Sequence, residues 1–134
     1  MSFSRPTPAD ACPCCSGLDY ADCCQPILDG APAASPEALM RSRYTAFCTG
    51  RREYLLKSWH PSTRPGSLEL DPDRQFTRLI IHDSSFPVDP ATPATVWFTA
   101  VYRTPAGKGR QCEKSVFLFV DGNWTYLGEA PPAL

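Results

Sequence analysis

Apolar residues along the chain fall into two rhythms. Between residues 36 and 59 they recur at helical spacing, and beyond residue 75 they gather in short stretches rich in β-branched and aromatic side chains. Ser35-Pro36-Glu37 carries helix-opening chemistry: a hydroxyl to cap free N–H groups, a proline suited to the first helical position, and an acid at the positive end of the dipole. Leu39, Met40, Tyr44, Phe47 and Cys48 then mark one face of a helix that Gly50 ends. A second helix is predicted over 52–59, with Leu55, Leu56 and Trp59 on its apolar side and Pro61 stopping it by His60.

The later stretches predict strands over 76–82, 95–103, 111–120 and 123–127. Asp121-Gly122 is a two-residue hairpin signal, and it sets Phe119 opposite Trp124 and Phe117 opposite Tyr126, with the four rings on one face. Helices followed by antiparallel strands make an α+β fold, the helices packed on the apolar face of a twisted sheet. The longest unbroken apolar run, 116–120, is far below the roughly 18 residues that cross a bilayer.

Composition refines this picture in three places. With 134 residues the chain suits one domain with a small appendage, and its 15 prolines argue against long uninterrupted helices. A net charge of -1 removes the general case for binding nucleic acid or anionic membranes. The opening residues Met1-Ser-Phe-Ser-Arg-Pro-Thr-Pro lack a signal-like apolar core, so a cytoplasmic location is expected. The stretch 29–36, rich in Pro, Ala and Gly, reads as a linker between an N-terminal unit over 1–30 and an α+β unit over 36–134.

Cysteine is the sharpest anomaly. Of seven, five (Cys12, Cys14, Cys15, Cys23, Cys24) crowd into thirteen residues, a pattern that suits a metal in a reducing compartment better than a disulfide framework. Zinc takes four thiolates at the corners of a tetrahedron with Zn–S near ~2.3 Å, so the segment must fold back on itself. Pro13 stiffens the first pair, Ser16-Gly17 offers a tight turn, and Tyr20 can cover the site. Cys12, Cys14, Cys23 and Cys24 form the preferred set, with Cys15 in place of Cys14 as the alternative and a redox-sensitive tail as the metal-free reading. Four thiolates leave no open position, so the zinc is expected to be structural.

Cys12-Pro-Cys14-Cys15-Ser16-Gly17, followed by Cys23-Cys24, resembles the SEC-C motif, a small zinc-binding module found at the end of the translocation ATPase SecA. Cys15 departs from the glycine usual there, and Cys24 from the histidine of the SecA form. The blocks 38–47, 59–65 and 121–126 widen the likeness to the bacterial YchJ family over nearly the whole chain. That resemblance implies a SEC-C motif joined to a nuclear-transport-factor-two-like domain, a cone of helices on a curved antiparallel sheet. It implies docking of another protein through the motif and brings no activity.

Outside the cysteines, Arg41, Arg43, Arg51, Arg52, Lys57 and Arg64 make the most basic region, whose ordinary reading is a solvated helix face. An inward-pointing Arg43 needs a carboxylate, for which Glu113 is the candidate. Trp59-His60-Pro61-Ser62-Thr63-Arg64 places an imidazole, hydroxyls and a guanidinium where helix meets sheet, so Arg43, Tyr44, Trp59, His60, Arg64 and Glu113 are the candidate pocket residues. His60 is read first as a cap of the helix end. His82 is read as a surface histidine at a strand end, with a pair to Asp83 as the alternative, Cys48 as a buried hydrophobe, and Cys112 as a thiol without a visible partner.

The expectation is a zinc-carrying adaptor with a protein partner through the motif and a possible small-molecule ligand in the cone. An enzyme using that cone is the competing class, and nucleic-acid binding through the knuckle and basic helices the weaker third.

Overall fold

The computed structural model describes residues 5–130. The first four residues, part of the opening stretch read as carrying no signal, lie outside it. A 3-10 turn over Tyr20–Asp22 precedes three helices, α1 (Cys24–Leu28), α2 (Pro36–Thr49) and α3 (Arg52–Lys57). Four strands follow: β1 (Gln75–Ser84), β2 (Ala94–Thr104), β3 (Gly107–Val120) and β4 (Asn123–Glu129). They pair in sequence order as one antiparallel meander. No helix among the described residues is long and apolar enough to cross a membrane.

The helix-opening chemistry works as its residues dictate. Ser35 Oγ accepts from the Ala38 N–H at 3.0 Å, Pro36 occupies the first turn, and Gly50 closes α2 in the left-handed conformation at φ +73°. The predicted second helix stops two residues sooner, at Lys57, because the chain then turns to meet the sheet edge. Tyr126 N–H donates to Ser58 O at 2.9 Å and His60 N–H to Tyr126 O at 2.7 Å, so β4 gains backbone partners from the segment after α3.

The hairpin register is the one its turn demands, Phe119 opposite Trp124 and Phe117 opposite Tyr126, with ring centroids 5.2 and 5.8 Å apart. Strand β3 begins four residues earlier than its apolar pattern, since backbone pairing with β2 continues along the polar Gly107-Lys-Gly-Arg run. Gly109 is needed there: a Cβ would come within 2.5 Å of the Tyr102 ring.

Strand alternation puts Ala94, Val96, Phe98 and Ala100 on the helix-facing side with Leu79, Phe117 and Trp124. Helix α2 lies between that side and the cysteine-rich segment. It is therefore buried well beyond one stripe, with Ser42, Arg43, Thr45 and Thr49 enclosed as well as Leu39, Met40 and Tyr44. One apolar cluster runs from Cys12, Cys14, Cys24 and Leu28 through α2 to the sheet. Ala33, within the stretch read as a linker, packs against it.

Candidate metal centre

The N-terminal segment folds back through short backbone contacts. Ala11 and Asp19 form an antiparallel bridge, Cys12 N–H donates to Leu18 O at 2.9 Å, and Tyr20 N–H donates to Asp10 O at 2.8 Å. Reversal between them uses two left-handed residues, Cys15 at φ +66° and Gly17 at φ +89°. The 3-10 turn then delivers Cys23, and Cys24 opens α1.

The result is a cage. The sulfurs of Cys12, Cys14, Cys23 and Cys24 all lie within 4.8 Å of one another, Cys14 and Cys23 at 3.6 Å and Cys23 and Cys24 at 3.9 Å. Four thiolates around one zinc ion stand about 3.8 Å apart, so the cage has the dimensions and donor set a tetrahedral metal needs. The four cysteines can hold a metal ion. Cys15 lies outside the cage, exposed, its thiol directed to Pro13 O at 3.6 Å. Tyr20 is buried with the cage residues.

Donors from the rest of the fold surround these sulfurs. Thr45 Oγ1 donates to Cys24 Sγ at 3.4 Å and lies 3.9 Å from Cys12 Sγ, while Ser16 Oγ lies 3.2 Å from Cys23 Sγ. Arg41, anchored by Glu37 at 3.0 Å, donates to Cys14 O at 2.9 Å and points a second contact at Cys14 Sγ, 3.9 Å away. Hydrogen bonds from Cys12 and Cys24 hold the Cys14 thiol far below its usual range. Burial pushes Cys23 up to about 11, and the bonds with Cys12 and Cys14 raise Cys24 further. Cys14 is thus biased toward the thiolate, while Cys23 and Cys24 hold their protons, a resistance that a dication at the centre removes.

The six candidate pocket residues do not share a pocket. A cavity of about 350 Å³ lies between α2 and the sheet, floored by Met40, Tyr44, Phe47, Phe76 and Phe98, and of the six only Tyr44 lines it. Arg43 is buried on the other side of α2. It donates to Leu55 O at 2.8 Å and Ser58 Oγ at 2.6 Å, with its guanidinium 4.4 Å from the Tyr126 ring centroid and 5.0 Å from that of Trp59. The expected ion pair with Glu113 is absent, because Tyr126 stands between: its hydroxyl donates to Glu113 Oε2 at 2.9 Å, and Ser115 Oγ also donates to that oxygen. Burial lowers the Arg43 pKa to about 10.

His60 does not cap the helix end. Its Nδ1 accepts from Ser62 N–H at 3.0 Å and closes the following turn, whereas Arg64 takes the α3 terminus through Trp59 O at 2.8 Å and Lys57 O at 3.4 Å. Of the six basic residues around these helices, Arg41, Arg43, Arg51 and Arg64 each hold a backbone carbonyl, which spends them on structure. His82 bonds Thr99 Oγ1 at 2.7 Å instead of Asp83. Cys48 is partly buried, which raises its thiol to about 12, and Cys112, exposed, has Thr99 Oγ1 as a partner at 3.1 Å. Sequence reasoning missed the thiol-facing roles of Arg41, Ser16 and Thr45; Thr45, a polar residue on a buried helix face, was the available signal.

Residues 35–129 match the family described as YchJ, middle NTF2-like domain, and residues 9–26 match the SEC-C motif. The chain belongs to the YchJ family. A UPF0225 protein of Deinococcus radiodurans is 42% identical over 96% of this YchJ-family chain and 99% of its own length. Another from Xanthomonas campestris pv. campestris is 43% identical over 93% and 98%. Among solved structures, a SEC-C motif containing protein from Rhodopseudomonas palustris matches with a TM-score of 0.78 at 34% identity, covering 90% of this chain and 98% of that one. A second, from Psychrobacter arcticus, gives 0.76 at 25% identity over 95% and 86%. The α+β unit is therefore an NTF2-like fold carrying a SEC-C motif, as the YchJ resemblance implied.

Proposed function

We propose that the protein is a non-catalytic adaptor whose N-terminal knuckle is held in shape by one structural zinc ion and docks a protein partner. The observation that carries this reading is the closed cage of four cysteine sulfurs, all within 4.8 Å and ringed by donors from α2. Zinc suits such a set because it favours tetrahedral thiolate coordination without redox change. With four protein ligands the ion has no position left for a substrate, so its contribution is a rigid surface on a segment too short to build a core.

The tip of the knuckle supports docking. Leu18 is 52% exposed there, fixed by its carbonyl, which accepts from Cys12 N–H, and by its own N–H, which donates to Ser16 Oγ. The cavity favours binding over chemistry: its floor is apolar and aromatic, and its acids Glu69 and Asp71 sit exposed at the rim. A small, largely apolar molecule is the ligand that cavity suits.

Two measurements test the proposal. Elemental analysis of protein purified without chelator should find one zinc per chain, lost in Cys14→Ser and retained in Cys15→Ser; a full set of freely titrating thiols with no metal sinks it. A partner recovered by cross-linking should be lost with Leu18→Asp while the zinc content stays unchanged. Equal recovery with both proteins removes the docking role.

A further inference from the structure

The side of the sheet turned away from the helices carries a different chemistry, and it is not part of the metal centre or the cavity. Register and strand alternation set Arg103 beside Lys108, Val101 between Arg78 and Arg110, Thr99 between Ile80 and Cys112, and Trp97 beside Lys114 on this outer face. Arg78, Arg103, Lys108, Arg110 and Lys114 are all exposed. None of them forms an ion pair among the described residues. Asp83, opposite Trp97, is the carboxylate these rows contain. A chain whose formal net charge is -1 thus gathers five cations on three neighbouring strands.

An aromatic platform sits among them. Trp97 is 51% exposed, and the His82 ring packs against it with centroids 4.9 Å apart. Thr99, buried, holds His82 through Nε2 at 2.7 Å, so the indole rests on a ring whose own position is fixed. An exposed tryptophan held in place offers a flat surface at little ordering cost to a ligand with a π-face.

We propose that this outer sheet face binds single-stranded nucleic acid, with phosphates along the β3 cations and a base stacked on Trp97. Lys108, Arg110 and Lys114 project from one side of one strand, the first two about 7 Å apart along it and the last two about 13 Å apart, which makes a track for a linear polyanion. Cations together with an exposed aromatic are what sequence-tolerant single-strand binding uses. A second copy of the chain is a poor occupant, because like-charged faces would meet. An acidic protein matches the charge but makes no use of the indole.

The test uses the full chain as purified and a mixed-sequence oligonucleotide of about 12 nucleotides. With about four phosphates neutralised, the affinity should fall about fifty-fold between about 50 and 200 mM salt. Trp97→Ala, and separately Arg110→Glu with Lys114→Glu, should each weaken binding about ten-fold or more, with circular dichroism and metal content unchanged. Cys112 lies exposed on this face and Cys15 lies exposed on the knuckle, which provides a footprint with an internal control. Saturating oligonucleotide should slow alkylation of Cys112 and leave Cys15 unaffected. Unprotected Cys112, affinity unmoved by both variants, or equal binding of a poly-glutamate peptide would each overturn the proposal. These outcomes do not depend on the docking role of the knuckle.

Discussion

Arg43 shows what one buried charge requires. Its guanidinium is satisfied by a carbonyl, a hydroxyl and two aromatic faces, with Glu113 reached only through the Tyr126 hydroxyl. A planar cation stacks on such faces and a lysine ammonium cannot reproduce the fork, so Arg43→Lys should cost about 2 kcal/mol in a urea unfolding curve. The sequence offered an inward Arg43 only as a condition, since the ordinary reading of this basic stretch is a solvated helix face; the structure buries it. Its partners were not legible, because Tyr126 lies far along the chain and only the pairing of β4 with residues 58–60 brings its ring there. Arg41 belongs to the same scale: a side chain of α2 that contacts a cage cysteine at both its carbonyl and its sulfur. Removing a group that orients a metal ligand typically weakens metal binding 10–100-fold. Arg41→Ala should therefore lose metal to a competing chelator at correspondingly lower chelator concentration, with the cage cysteines intact.

At the scale of elements, short-range chemistry governs. Ser35 and Gly50 bound α2 through contacts that span a few residues, which is why both ends were legible. Ser35→Ala should destabilise the protein by about 1 kcal/mol through the lost cap, and Gly50→Ala by about 1 kcal/mol through its left-handed backbone, both measurable by chemical denaturation. The Asp121-Gly122 turn fixed its hairpin for the same reason, with Asp121 at φ +52° and Gly122 at φ +84°. The start of β3 was not legible, because its first residues are paired by backbone hydrogen bonds and carry polar side chains that announce no strand. The end of α3 moved for a long-range reason, the capture of residues 58–60 by the edge of β4.

At the scale of the molecule, α2 is shared: one side meets the sheet, another the cysteine segment, and a third α3. Burial in that core holds the Cys48 thiol up at about 12 and raises the phenols of Tyr44, Tyr54 and Tyr126 above their ordinary values. The unfolded chain ionises these groups from 9.0 for the thiol and 10.0 for the phenols. Protons kept by the folded state and released by the unfolded one make stability complete below about pH 9 and lower as pH rises toward about 12. Denaturation midpoints at about pH 8 and about pH 10 should show that decline. The α+β class, the two ends of α2, the hairpin register and the cysteine set were determined by the sequence itself, since each rests on spacing within a few residues or on the donor chemistry of one short segment. Only the tertiary structure decided that α2 supplies donors to the cage, that of the six pocket candidates Tyr44 alone lines the cavity beneath α2, and that cations from three strands share one outer face with Trp97. Those outcomes depend on which side of a strand or helix meets which distant neighbour, and that is a property of packing.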